Sequence, residues 1–173
     1  MARTKEGATA PRTVPRTDLP PGFVPSLLDR LIDPEAGGTS WQRGYSVEEL
    51  TETVRRDLED LFNTRQTHTD IPADCPEVRR SVVAYGLPDL ASVRADSAEQ
   101  RAAIGRLLEG IIAIFEPRLR NVRATLVDAG NNKDRSVKFR VEARLRIDPA
   151  PDVVFDTVLE LTGGRSTVQR GQP

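Results

Sequence analysis

Leu50, Val54, Leu58, Leu61 and Phe62 recur at spacings of three and four, the period of a helix that buries one face. Ser46-Val47-Glu48-Glu49 just ahead of them is a capping box, in which a serine oxygen and a glutamate three residues on satisfy the first free amides of a helix. A long helix is therefore expected from Ser46, ending at Asn63-Thr64-Arg65. Glu52, Arg55, Arg56, Glu59 and Asp60 fall mostly off the stripe and read as a solvated face. A second stripe, Ile104, Leu107, Leu108, Ile111, Ile112 and Phe115, predicts another long helix beginning near Asp96 or Ser97. Arg101, Arg106 and Glu109 lie off it. Shorter helices are expected at Ser26–Ile32, with Ser26 as N-cap, and from Pro76 to Val83. Between the latter and the second long helix, Tyr85-Gly86-Leu87-Pro88-Asp89-Leu90 reads as a turn, with Gly86 free to take positive φ.

The period changes at Phe115-Glu116-Pro117-Arg118-Leu119. Pro117 has no N–H and disfavours helical geometry in Glu116, so the helix stops there. Beyond it Val122, Ala124 and Leu126 alternate with Arg123 and Thr125. After a loop at Gly130-Asn131-Asn132, alternation is strict from Val137 to Ile147. Val137, Phe139, Val141, Ala143, Leu145 and Ile147 take one face, and Lys138, Arg140, Glu142, Arg144 and Arg146 the other. Such a pattern belongs to an antiparallel sheet with one wet face. Asp148-Pro149-Ala150-Pro151 turns the chain into a third strand, Val153–Leu161, which Gly163-Gly164 breaks. Ser166–Gln169 can add a few strand residues. The expected fold is α+β: two main helices packed on a small antiparallel sheet of three to four strands. In a three-stranded meander the first and third strands have open edges, and the third, at Phe155, Thr157 and Leu159, is the expected edge for a strand from a partner.

Residues 1–23, with Pro11, Pro15, Pro20 and Pro21 among polar positions, cannot bury enough apolar area to offset their ordering, so a flexible arm is expected there. A core domain over 24–162 and a tail over 163–173 follow. The 173-residue chain carries 25 Lys+Arg against 26 Asp+Glu, a net charge of −1, so no overall field favours nucleic acid or an anionic membrane. Only Lys5, Lys133 and Lys138 are lysines; arginine, the residue suited to bidentate pairing, supplies the rest. Cys75 is the only cysteine, which excludes an intrachain disulfide and fits a reducing compartment. No apolar stretch reaches the length of a membrane span, and no secretory leader precedes Pro11.

Candidate chemistry is thin. Glu116, at a helix end among apolar residues, is the natural general acid of a glycosidase pair, but the nearest carboxylate, Glu109, is about two helical turns away. Pairing with Arg118 or another arginine, as a structural corner, fits better. His68 lies in a polar loop with no ligand-spaced Cys or His and no nucleophile-elbow motif. The glycine pairs at 37–38 and 163–164 do not form a phosphate or dinucleotide loop. The arginines of 138–146 are interrupted by Glu142 and lack interleaved aromatics, which argues against nucleic acid. No cofactor, no metal and no catalysis are expected.

The segments Ser26-Leu27-Leu28-Asp29-Arg30-Leu31, Asp57-Leu58-Glu59-Asp60-Leu61-Phe62-Asn63-Thr64-Arg65, Tyr85-Gly86-Leu87-Pro88-Asp89-Leu90, Phe115-Glu116-Pro117-Arg118-Leu119, Phe139-Arg140-Val141-Glu142-Ala143 and Phe155-Asp156-Thr157 occur in this order. Together they resemble the TssE family, baseplate subunits of type VI secretion systems related to a wedge protein of contractile-phage baseplates. The resemblance covers residues 24 to 162. It implies a non-enzymatic wedge component, placed with TssF, TssG and TssK at the cytoplasmic baseplate, from which the TssB–TssC sheath polymerises. Its Glu-Pro-Arg signature falls on Glu116, Pro117 and Arg118, all intact. A phage-tail-like contractile injection system with other partners is the alternative. A peptidoglycan hydrolase, suggested by the label lysozyme-like that the family sometimes carries, finds no support in these residues.

Overall fold

A computed structural model describes residues 23, 26–32, 45–68, 70–72, 74–90, 97–128, 136–160 and 165–172. The chain divides into two units, Met1–Ser46 and Val47–Pro173. The expected arm lies almost wholly outside the described residues, as does the Gly37-Gly38 loop.

In the first unit α1 spans Leu27–Ile32. Ser26 caps it reciprocally with Asp29. The Ser26 Oγ accepts from the Asp29 amide (3.1 Å), while the Asp29 carboxylate accepts from the Ser26 hydroxyl (2.6 Å) and amide (3.2 Å). The aspartate fills the glutamate position of a capping box. Phe23 and Tyr45 exchange backbone hydrogen bonds of 3.1 and 2.8 Å in an antiparallel bridge.

The second unit holds α2 (Val47–Asn63), α3 (Pro76–Arg79), α4 (Ala98–Phe115) and strands β1 (Leu119–Asp128), β2 (Ser136–Leu145), β3 (Asp152–Glu160) and β4 (Ser166–Arg170). The whole apolar stripe of α2 is buried, as its spacing requires. Ser97 caps α4: its hydroxyl accepts from the Gln100 amide and the Gln100 side chain accepts from the Ser97 amide. Along α4, Ile104, Leu108 and Ile112 are fully buried, whereas Leu107, Ile111 and Phe115 are half-buried. The helix expected over Pro76–Val83 is two pieces, α3 and a 3-10 turn at Val82–Ala84. Ser81, whose hydroxyl accepts from the Val83 amide, restarts the backbone between them.

The sheet is antiparallel, in the order β1-β2-β3-β4. Its apolar face carries Val137, Phe139, Val141, Ala143 and Leu145 of β2 opposite Val153, Phe155, Thr157 and Leu159 of β3, all buried. α4 packs on β1 and α2 on β4, the two edge strands. The opposite face carries the charged residues of β2. β1 is bulged: its register shifts between Arg120 and Arg123 and again between Leu126 and Asp128. Asn121, in the first bulge, has φ +54°, the left-handed region that asparagine tolerates.

The fourth strand alters one expectation. β4 pairs with β3 from Ser166↔Leu159 to Arg170↔Phe155. The edge expected at Phe155, Thr157 and Leu159 is therefore occupied by this chain's own C-terminal segment, and all three side chains point into the core. Alternation alone could not show this, because a five-residue strand after a glycine pair carries too short a pattern to be told from a tail. The sheet's edges are β1 and β4.

Candidate functional site

The site is built on the corner between α4 and β1. α4 ends at Phe115, and Glu116 still donates its amide to the Ile112 carbonyl (2.8 Å) while leaving helical geometry at φ −120° and ψ 75°. Leu119 then donates its amide to the Glu116 carbonyl at 3.1 Å, closing a turn over Pro117 and Arg118. The proline fixes φ where no amide is needed, and the tight turn folds the side chains of Glu116 and Arg118 against each other. Arg118 Nε donates to Glu116 Oε1 at 2.6 Å, its Nη2 to Oε2 at 2.5 Å, and its own amide to Oε1 at 3.2 Å. This is the bidentate geometry that only arginine provides.

Arg118 has a second carboxylate. Its Nη2 also reaches Oδ2 of Asp57 on α2, 61 residues away in sequence. The other oxygen of Asp57 accepts from Arg56 Nε (3.2 Å) and Nη2 (2.9 Å). One guanidinium thus ties the end of α4 and the start of β1 to the middle of α2. The Glu116 side chain is 5% exposed, Arg118 28% and Asp57 25%. Burial alone would lower the Arg118 pKa, but the hydrogen bonds and charges of Glu116, and then of Asp57, outweigh it and raise it well above the ordinary arginine value. Tyr85 completes the corner, its ring edge-on to Phe115 with centroids 5.3 Å apart. Burial pushes its phenol pKa up, and the negative charges of Asp60, Asp57 and Glu116 push it further.

A second fixed point lies at the end of α2. Leu87 donates to the Thr64 carbonyl and Gln66 to the Leu87 carbonyl, both at 2.8 Å. Gly86 permits this approach: its φ is +107°, and a Cβ there would stand 2.4 Å from the Thr64 oxygen. The glycine of the Tyr85–Leu90 turn is thus required by both its conformation and its neighbour.

Helix side chains seal both sheet edges. On α2, Arg55 donates to the Val168 carbonyl (2.8 Å), Glu59 accepts from the Val168 amide (3.4 Å), and Asn63 both accepts from the Ser166 amide (2.7 Å) and donates to its carbonyl (2.9 Å). These are the outward-facing groups of β4. On α4, Glu109 accepts from the Ala124 amide of β1 at 2.9 Å. A Cβ at Gly105 would lie 2.8 Å from the Ala124 oxygen, so helix and strand are in contact there.

The structure brings Glu116, Pro117 and Arg118 into one cluster. Sequence reasoning missed Asp57, Glu109 and the Arg55-Glu59-Asn63 row. The row had a readable signal, polar residues at intervals of four facing one direction. Asp57 had none, because nothing local specifies a partner from another element. His68 and Cys75 lie apart from the corner. Among the described residues no three His, Cys, Asp or Glu side chains gather as a metal site, and no helix is long and apolar enough to cross a membrane.

A family model described as baseplate wedge protein gp25 matches residues 48–150, more than half of the chain. The chain belongs to the gp25 baseplate wedge family. The match takes in α2, the Gly86 turn, α4, the Glu116-Pro117-Arg118 corner, β1 and β2, whereas β3 and β4 lie beyond it. No curated protein and no solved structure matches the chain.

Proposed function

We propose that this chain is a structural wedge subunit of a type VI secretion baseplate, of the TssE kind, and that it serves as a platform for sheath polymerisation. The observation that carries the reading is the Glu116–Arg118–Asp57 lock within a chain of the baseplate wedge family. Both oxygens of Glu116 accept charge-assisted bonds from Arg118. The group that a lysozyme-like mechanism would use as general acid is thus engaged through both oxygens in a structural ion pair. The lock fixes shape, which is what a wedge contributes. Its partners are then TssF, TssG and TssK in the wedge and TssB–TssC in the sheath, at the cytoplasmic side of the apparatus.

A baseplate subunit of a phage-tail-like contractile injection system is the second reading. It is favoured by the matched family's description, which names the baseplate wedge and not a secretion system. The test is deletion and complementation in cells carrying a fluorescent sheath subunit, with co-purification of TssF and TssG. Wild-type chain should restore sheath foci and bring down both proteins, and Arg118→Ala should restore neither. Restored foci without TssF or TssG would shift the assignment to the second reading. Peptidoglycan cleavage by purified protein, lost in folded Glu116→Gln, would overturn both.

A further inference from the structure

The charged face of the sheet, opposite the helices, carries an arginine cluster that the corner does not use. Arg120 of β1 stands directly across from Arg144 of β2. Like charges in directly opposed positions destabilise a sheet. Asp152 neutralises Arg144 at 2.5 Å, which leaves Arg120 uncompensated. Arg123 faces the sheet's charged side opposite Glu142, and Arg146 follows β2. Arg120, Arg123 and Arg146 are exposed, and among the described residues none of them lies in an ion pair, although Arg118, Arg140 and Arg144 of the same hairpin each do.

A second, independent feature marks the same place. The first bulge of β1, with Asn121 at φ +54°, falls between Arg120 and Arg123. Bulges re-aim side chains and interrupt pairing. Here the bulge borders a shallow depression of about 370 Å³ lined by Asn121, Arg123, Glu142, Arg144, Asp152 and Val154. Asn121 and Arg123 line the concavity, and Arg120 immediately precedes them on β1.

We propose that this face, centred on Arg120, Arg123 and Arg146, docks an acidic, extended segment of a partner protein. Arg120 and Arg123 flank the bulge of β1 and Arg146 lies just past β2, and guanidinium groups spread along the strand direction suit carboxylates spaced along an extended peptide. A protein segment fits better than a nucleic acid backbone. Glu142 and Asp152 sit among the arginines and would repel a continuous row of phosphates, whereas a peptide can place a neutral or basic residue opposite them. The surface lies across the sheet from α2 and α4 and is separate from both sealed edges. The inference does not depend on which contractile system the chain serves.

The test uses the full chain, isotope-labelled, titrated with a synthetic ten-residue peptide carrying aspartates at alternate positions, in low salt. Amide shifts should change at residues 120–124 and 142–146. Arg120→Gln/Arg123→Gln should weaken binding about tenfold, consistent with two partly exposed ion pairs. Arg101→Gln/Arg106→Gln, a pair on α4 away from the cluster, should leave it unchanged. Circular dichroism verifies the fold of both variants. Shifts elsewhere, or equal losses in the two variants, would reduce the effect to non-specific charge and overturn the proposal. Tighter binding of single-stranded DNA at the same residues, lost with Arg120→Gln/Arg123→Gln, would replace the acidic segment with a nucleic acid.

Discussion

Arg118→Ala would leave the Glu116 carboxylate buried with no cation beside it and Asp57 with Arg56 alone. Removing one partner of a buried pair costs about 3–5 kcal/mol, so the melting temperature should fall by about 10 °C in a chain of this length. Arg118→Lys should recover only part of the loss, because an ammonium cannot span both carboxylates. Asp57→Asn should cost about 1 kcal/mol, since that side chain is partly solvated and retains an acceptor. Thermal unfolding of the three variants checks the order, and an Arg118→Lys protein as stable as wild type would show that the fork geometry is unimportant. The raised phenol pKa of Tyr85 contributes stability that is fully present below about pH 10 and is lost as pH rises through the folded-state value. Stability measured across that range should therefore decline less steeply in Tyr85→Phe. At this scale the sequence was legible where the rule is local. Pro117 after Glu116 announced the helix end, and Gly86 announced a positive φ. The Asp57–Arg118 contact was not legible, because a pair 61 residues apart depends on how two elements pack.

The two long helices and the first three strands follow from periodicity, because each runs long enough for its buried face to repeat several times. β4 does not: Ser166 and Val168 are its only buried positions, and two positions define no period. Its attachment depends on α2, whose Arg55, Glu59 and Asn63 hold its outward backbone groups. Asn63→Ala removes two of these bonds and should destabilise the protein by about 1–2 kcal/mol. Hydrogen exchange should quicken across β4 before it does in β2. The seals also bear on which edge a sheath strand could join. At β1, the Ala124 oxygen lies against the backbone of α4 at Gly105, which cannot yield unless the helix moves. At β4 the blocking groups are side chains, which can rotate away. A partner strand is therefore expected at β4. In a Cys75→Ser background, Thr167→Cys should crosslink to sheath subunits in assembled particles, and Thr125→Cys should not. The reverse result would place the partner at β1, and no crosslink from either would remove strand addition from the account.

For the molecule as a whole, the balance of charge gives little information and its distribution gives more. A net charge of −1 coexists with a charge-paired corner of Glu116, Asp57, Arg118 and Arg56 and an arginine cluster on the far face of the sheet. Counting charges averages these surfaces away, since only the strand register shows which arginines stand together. The core is distributed just as unevenly. Leu58, Leu108, Ile112, Phe139, Val141, Phe155 and Leu159, all fully or almost fully buried, belong to the Val47–Pro173 unit. That unit includes both long helices, the whole sheet, the corner lock and both edge seals, so it holds the apolar burial and buried polar pairing that cooperative folding requires. A chain starting at Tyr45, which keeps Ser46 ahead of α2, should fold alone. It should unfold in one cooperative transition within about 5 °C of the full-length midpoint, and its denaturant slope should fall only in proportion to the surface removed. Calorimetry and urea denaturation of the two chains decide the matter. A broad transition, or a slope much smaller than that proportion, would show that residues 1–44 are needed to complete the fold.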